Sequence, residues 1–188
     1  MEALLTTFLA AGLGEWGDKT QLLVIALAVR YRRPLPILAG IFVAALANSL
    51  LAAFGGVFVH GMIAPRATSL LVGLALVFAG VAGLIRPGRA DSPKEGGRWP
   101  FFVAAGSFFV FEFGDKTQVL TFALAAHYDA FGLAVAGATA GVIAANLPAV
   151  LLGEALSRAA PLRRIRFGLG AAFLVAGLIV GVGALGLT

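Results

Sequence analysis

Long apolar stretches alternate with short polar joins along the whole chain. Six stretches, at roughly 3–29, 34–59, 68–86, 100–126, 130–155 and 166–187, are apolar and long enough to cross a bilayer, since a spanning helix needs about 20 residues. Prolines stand at the joins, where a missing backbone donor does least harm; they are Pro34, Pro65, Pro100 and Pro161. The pattern predicts an all-α integral membrane protein with six transmembrane helices.

The joins differ sharply in charge. Those after the first, third and fifth stretches hold eleven basic residues, whereas the other joins hold Arg66 alone. Basic loops remain cytoplasmic, so we expect both termini on the outer side of the cell (inner) membrane. The eleven residues are Arg30, Arg32, Arg33, Arg86, Arg89, Lys94, Arg98, Arg158, Arg163, Arg164 and Arg166.

Composition supports the membrane prediction and excludes several kinds of site. The chain is 60% hydrophobic and 12% charged, whereas a soluble domain is about a quarter charged. Its net charge of +5 does not indicate nucleic-acid binding, because the basic residues lie in the short joins. The absence of cysteine excludes disulfides, iron–sulfur clusters and cysteine zinc sites, and we expect no bound cofactor.

Two segments carry nearly the same sequence. Residues 15–28 read EWGDKTQLLVIALA and residues 112–125 read EFGDKTQVLTFALA, identical at ten of 14 positions. Such a match indicates an internal duplication, with repeats at 1–86 and 100–188 and a charged cytoplasmic linker at 87–99. Three spans per repeat is an odd number, so the second repeat enters the membrane inverted. Transporters built this way bind substrate near the midplane, where the repeats meet.

Both segments begin with the same motif, E-x-G-D-K-T-Q, at residues 15–21 and 112–118. Each copy of this motif places two acids, a lysine and neutral side-chain oxygen atoms at mid-membrane depth. On a continuous helix the two acids and the lysine would share one stripe, while Thr20 would point away from it. Gly17 and Gly114 favour either close helix approach or a local helix break. The charged groups are Glu15, Asp18, Glu112 and Asp115, with Lys19 and Lys116 as their charge partners. The neutral groups are Thr20, Gln21, Thr117 and Gln118.

The charges favour an ion pathway. Four carboxylates and two ammonium groups sum to −2, which either one divalent cation or two protons would neutralise. Such groups are costly inside a membrane and usually functional, although structural ion pairs Glu15–Lys19 and Glu112–Lys116 are the alternative. Oxygen ligands suit hard cations, and Mg²⁺ dehydrates reluctantly, so Ca²⁺ and Mn²⁺ are the expected substrates. Exchange for protons would let an inward proton gradient drive the metal out of the cytoplasm; Na⁺ coupling stays open.

Asn48 and Asn146 occupy corresponding places in the two repeats, to within one residue. Interhelical hydrogen bonding and a role as metal ligand are both open for them. A GxxxG spacing at Gly137 and Gly141 is typical of close helix packing.

The paired motifs resemble the small six-span cation/proton antiporters that include bacterial manganese exporters and Golgi Ca²⁺/Mn²⁺ transporters. The signature of that family is E-x-G-D-[KR]-[ST] in each half, and the resemblance covers the whole chain. It implies that Glu15, Asp18, Glu112 and Asp115 bind the metal, with Thr20 and Thr117 in the same signature.

Three other functions compete with this interpretation. An intramembrane aspartyl protease could use Asp18 and Asp115, but proteolysis would leave the glutamate of each motif unexplained. An exporter of organic solutes would not need four acids, and a membrane scaffold would tolerate their neutralisation. The sequence leaves open the choice between Ca²⁺ and Mn²⁺ and whether the chain forms a homo-oligomer.

Overall fold

The computed structural model describes residues 1–85 and 99–186. Within these ranges the regular structure is helical throughout. The helices are α1 (Glu2–Glu15), α2 (Lys19–Tyr31), α3 (Pro34–His60), α4 (Pro65–Leu84), α5 (Pro100–Glu112), α6 (Lys116–Tyr128), α7 (Phe131–Leu152), α8 (Glu154–Ala159) and α9 (Leu162–Leu185). The predicted linker lies outside the described residues except for Trp99, and so does Arg86.

Prolines begin three of the helices. Pro34, Pro65 and Pro100 are the first residues of α3, α4 and α5, where proline's fixed φ suits the helix and its missing N–H is not needed. Pro161 immediately precedes α9. The predicted positions of these joins are confirmed.

The first predicted span of each half is not one continuous helix. α1 ends at Glu15 and α5 ends at Glu112, and the next helix begins four residues later in each case. Gly17 and Gly114 both have φ of +74°, a left-handed conformation that glycine adopts readily and other residues avoid. The prediction that each acid–lysine set shares one helical stripe is therefore wrong, because the helix stops between the two acids.

The described helices fit a membrane environment. Four of them, α3, α4, α7 and α9, are long and apolar enough to span a bilayer, and α5 is a shorter apolar helix. Large apolar side chains such as Leu35, Phe54 and Ile179 stand exposed on the surface. Because the break divides the first span of each half, helix length does not confirm six spans, which stay a prediction.

The two halves interlock. α3 of the first half packs against α5 and α6 of the second, while α7 of the second half packs against α1 and α2 of the first. At Gly137 and Gly141 an added Cβ would collide with the carbonyl oxygens of Leu4 and Phe8 in α1. The close packing predicted from the GxxxG spacing is confirmed, and it sets α1 directly against α7.

Candidate cation site

The two helix breaks, at residues 16–18 and 113–115, lie beside each other where the two halves of the protein meet. The Thr117 hydroxyl donates a hydrogen bond of 2.7 Å to Glu15 Oε1, and Lys116 Nζ lies 2.5 Å from Asp18 Oδ2. Both contacts join the motif of one half to the motif of the other. The two motifs therefore face one another.

Glu15 is fully buried and accepts hydrogen bonds from two threonines. Thr20 donates to Oε2 at 2.6 Å, and Thr117 donates to Oε1 at 2.7 Å. Thr20 reaches the carboxylate because the backbone between Glu15 and Lys19 is not helical, which corrects the expectation that Thr20 points away from the acids. Hydroxyl donors on both oxygens stabilise an ionised carboxylate in this interior.

The lysines pair mainly with the aspartate of the opposite motif. Lys116 Nζ contacts Asp18 Oδ2 and lies 3.8 Å from Asp115 Oδ2 in its own motif, while Lys19 Nζ lies 3.4 Å from Asp115 Oδ1. The alternative pairs Glu15–Lys19 and Glu112–Lys116 are not the ones formed. Each depended on a continuous helix, in which residues four apart are neighbours.

The glutamine of each motif, Gln21 or Gln118, stabilises the helix break in its own motif. Gln21 Oε1 accepts the backbone N–H of Gly17 at 2.9 Å, and Gln118 Oε1 accepts that of Gly114 at 2.6 Å. The Gln21 amide donates to the Ala145 carbonyl of α7 at 3.0 Å, and the Gln118 amide donates to the Asn48 carbonyl of α3 at 3.5 Å. Each glutamine thus satisfies a donor that the break exposes and ties the break to the other half.

The paired asparagines each have an oxygen without a hydrogen-bond partner. Asn48 Nδ2 donates to the Phe109 carbonyl of α5 at 3.3 Å, whereas Asn146 Nδ2 donates to the Val142 carbonyl of its own helix at 3.0 Å. The Oδ1 atoms of both are buried without a partner. Interhelical hydrogen bonding therefore accounts for the amide of Asn48 and leaves both Oδ1 atoms as spare acceptors.

Glu112 has surroundings unlike those of its equivalent, Glu15. It is buried, but its Oε2 has no hydrogen-bond partner. It lines a crevice of about 10 Å³ together with Asn48, Ser49 and Thr117, a volume that holds about one water-sized sphere. Glu112 and Asn48, each of which has a buried oxygen without a hydrogen-bond partner, therefore line the same crevice.

Comparison with known proteins now identifies the family. Residues 3–91 and 100–186 match the family described as "Divalent cation/proton antiporter GDT1". The chain belongs to this family. It is a membrane transporter and not an enzyme, so the protease alternative is wrong. No solved structure gives a significant match to the chain.

A relative of this antiporter is known in Vibrio cholerae serotype O1. The protein named "Putative manganese exporter" is 40% identical over 181 residues, which cover 95% of this chain and 90% of the relative. The resemblance stated from the paired motifs is thus confirmed by a match along almost the whole chain.

The two breaks of the antiporter differ in what covers them. A Cβ on Gly17 would lie 2.5 Å from the Leu162 carbonyl oxygen and 2.9 Å from the Arg166 Cβ, whereas nothing lies within 4 Å of the same position at Gly114. Gly17 and Asp18 are buried, whereas the equivalent Gly114 is exposed and Asp115 is partly exposed. The first turns of α9 therefore close over the first break, while the second break is open.

Arg166 is a site residue that the sequence analysis missed. The sequence pattern predicts it to be one of the basic residues of a cytoplasmic join, but it lies buried in the first turns of α9. Its guanidinium donates to the Ile85 carbonyl at 2.8 Å and is close enough to Asp18 to interact electrostatically. Arg166 thereby links the end of α4 to the closed break.

Within residues 1–85 and 99–186, no three His, Cys, Asp or Glu side chains are grouped closely enough to hold a metal ion. The contacts above give the physical reason. Glu15 is held by threonines, and Asp18 and Asp115 are held by lysines, so the acids point at different partners. The predicted ligands share one interior region of the antiporter without converging on one point.

The difference between the breaks leads to a prediction about paired substitutions. Ala at either glycine adopts the same strained φ, at about 1–2 kcal/mol, but only Gly17→Ala also forces its Cβ into the Leu162 carbonyl. We expect Gly17→Ala to lower the melting temperature in detergent clearly more than Gly114→Ala, its matched control. Equal losses would show that α9 does not close over the first break.

Proposed function

We propose that this antiporter exports Mn²⁺ or Ca²⁺ from the cytoplasm in exchange for protons, by alternating access at the interior carboxylates. The ligand set comprises the four acids, with the threonines, glutamines and asparagines of the two repeats as neutral oxygen donors. They are Glu15, Asp18, Glu112, Asp115, Thr20, Thr117, Gln21, Gln118, Asn48 and Asn146. Lys19 and Lys116 are the charge partners of the acids.

The surplus of buried acceptor oxygens carries this proposal. Glu112 Oε2, Asn48 Oδ1 and Asn146 Oδ1 are buried without a donor, although buried polar atoms are nearly always hydrogen-bonded and an exception requires an explanation. With all groups ionised, the four acids and two lysines of the two motifs leave a charge of −2, and Arg166, which interacts with Asp18 from outside the motifs and donates to the Ile85 carbonyl, offsets it only in part. A divalent cation supplies both the missing charge and partners for the unpaired oxygens.

The chemistry of the donors favours a hard cation. Each proposed ligand offers oxygen, the atom that Ca²⁺ and Mn²⁺ prefer, and the name of the Vibrio relative also points to manganese. Copper(I) selects thiolates and thioethers, which the two motifs lack.

The same charge balance accounts for exchange with protons. The net charge of −2 is neutralised by one divalent cation or by two protons, and the site does not hold both sets of charges at once. The four acids serve as the proton carriers. A divalent cation favours the ionised acids and expels protons, and protons reload the site when the metal leaves.

The asymmetry between the breaks supports alternating access. One break is closed by α9 and the other is open, yet the two motifs have the same backbone conformation. Exchange of these two environments between the repeats would open the break at Gly17 and close the break at Gly114. In this proposal the repeats are 1–86 and 100–188, inverted in the inner membrane, with six spans, a cytoplasmic linker and both termini outside.

Competition between ions in proteoliposomes tests this function. We expect uptake of radioactive Mn²⁺ that is inhibited by excess Ca²⁺ but not by Cu⁺, with no uptake in protein-free vesicles. Preferred transport of Cu⁺ or of an organic solute would contradict the substrate assignment.

Labelling of a terminal tag tests the topology. An affinity tag after Thr188 should be labelled only from the outside of intact cells, because both termini are proposed to lie outside. Labelling from the cytoplasmic side would contradict the topology.

A further inference from the structure

One ammonium group stands between carboxylates that belong to opposite halves. Lys116 Nζ lies 2.5 Å from Asp18 Oδ2 and 3.8 Å from Asp115 Oδ2. The side chain of Lys116 is only 4% exposed, so water does little to screen its charge. The position between Asp18 and Asp115 is also the one that a cation bound by both halves would need.

The equivalent lysine of the first motif is placed differently. Lys19 Nζ lies 3.4 Å from Asp115 Oδ1, and its side chain is 33% exposed. An ion pair with that access to water contributes little. The duplicated sequence therefore supplies two lysines, of which only Lys116 joins aspartates from both motifs.

We propose that Lys116 is a tethered competitor of the transported cation. Its ammonium occupies oxygens of Asp18 and Asp115 that a divalent cation needs, and it withdraws when the metal binds because the two positive charges repel each other at this distance. This inference rests on the proposed function and adds to it a residue that sets how tightly the substrate binds.

The competition has a use in transport. A site that binds its ion too tightly does not release it, and conduction needs binding weak enough for the ion to leave. The return of the Lys116 ammonium to Asp18 displaces the metal and leaves the buried aspartate paired at every stage. Lys116 thereby lowers the affinity of the site for the metal and speeds the release of the metal.

The test compares Lys116→Met with Lys19→Met in the detergent-solubilised full chain. Methionine keeps the length of the side chain and removes the charge. We expect Lys116→Met to bind Mn²⁺ about tenfold more tightly than wild type or better, equivalent to ~1.4 kcal/mol. Its melting temperature should rise more on Mn²⁺ addition, while its maximal flux in vesicles falls. Lys19→Met should change the affinity less than Lys116→Met does.

Lys116→Arg keeps the charge and offers a planar fork that can hold both carboxylates. We expect Lys116→Arg to bind Mn²⁺ more weakly than wild type. If Lys116→Met does not fold, the affinity of Lys116→Arg relative to wild type tests whether the charge at position 116 competes with the metal. Affinity in Lys116→Met no higher than wild type, or affinity in Lys116→Arg equal to or above wild type, would overturn the inference. If wild type transports Mn²⁺ normally in those cases, only the inference fails; if wild type binds no divalent cation, the proposed function fails as well.

Discussion

Asp18→Asn and Asp115→Asn are expected to lose nearly all divalent-cation exchange while still folding and inserting. Asparagine keeps the shape of aspartate but removes one exchangeable charge, which changes the sum over the acids and lysines of the two motifs from −2 to −1. Such a site no longer neutralises a divalent cation in a medium where uncompensated charge is costly. Glu15→Gln and Glu112→Gln should behave in the same way, because each also removes one of the four negative charges.

Flux of Mn²⁺ or Ca²⁺ in vesicles, driven by a pH difference, measures this effect. Glu154→Gln is the matched control, because Glu154 is an exposed acid whose partner at 2.9 Å is Arg158, and it should transport like wild type. Retention of wild-type flux by all four variants of the buried acids would show that these carboxylates are structural.

The double variant Thr20→Val, Thr117→Val is expected to show the second large effect. Valine is close to threonine in shape but donates no hydrogen bond, so the buried Glu15 carboxylate would lose a donor on each oxygen. A hydrogen bond to a charged group contributes about 1.5–3 kcal/mol. We therefore expect the unfolding free energy to fall by at least about 3 kcal/mol, with exchange impaired because Glu15 loses its fixed position.

Chemical unfolding in detergent, together with vesicle flux, checks this prediction. Thr139→Val is the control, since the Thr139 hydroxyl is buried without a hydrogen-bond partner and its removal should be neutral or stabilising. If the double variant were as stable and active as Thr139→Val, the two hydroxyls would not be holding Glu15.

Features that depend on the local sequence could be predicted before the structure. The apolar stretches, the proline joins and the duplication are visible along the chain, because helix formation and repetition leave periodic patterns. The same holds for the pairing of Glu154 with Arg158, which are four residues apart on α8. Within each motif, the identity of the polar groups was enough to indicate cation chemistry.

The helix breaks could be predicted only as one of two alternatives. A glycine in an apolar helix permits either close packing or a left-handed turn, and nearby residues do not distinguish these. At Gly17 the outcome depends on Gln21 Oε1, which accepts the exposed N–H, and on the Leu162 carbonyl, which packs against the glycine. The second contact is set by tertiary structure.

Contacts between the halves were beyond prediction from sequence spacing. The spacing favours Glu112–Lys116, whereas the structure pairs Lys116 with Asp18, which depends on how the interlocked halves align. The different surroundings of Glu15 and Glu112 were equally hidden, because nearly identical segments predict identical sites. Arg166 was missed for a related reason: its burial results from where α9 begins relative to Gly17.

The most direct test of the central claim is flux of Mn²⁺ by the wild-type protein in proteoliposomes whose internal pH is set in advance. The account predicts that an acidic interior drives Mn²⁺ in as protons leave, that an alkaline interior does not, and that Mn²⁺ uptake raises the internal pH. Flux of the same size and direction under both pH differences, or Mn²⁺ uptake without proton release, would contradict it.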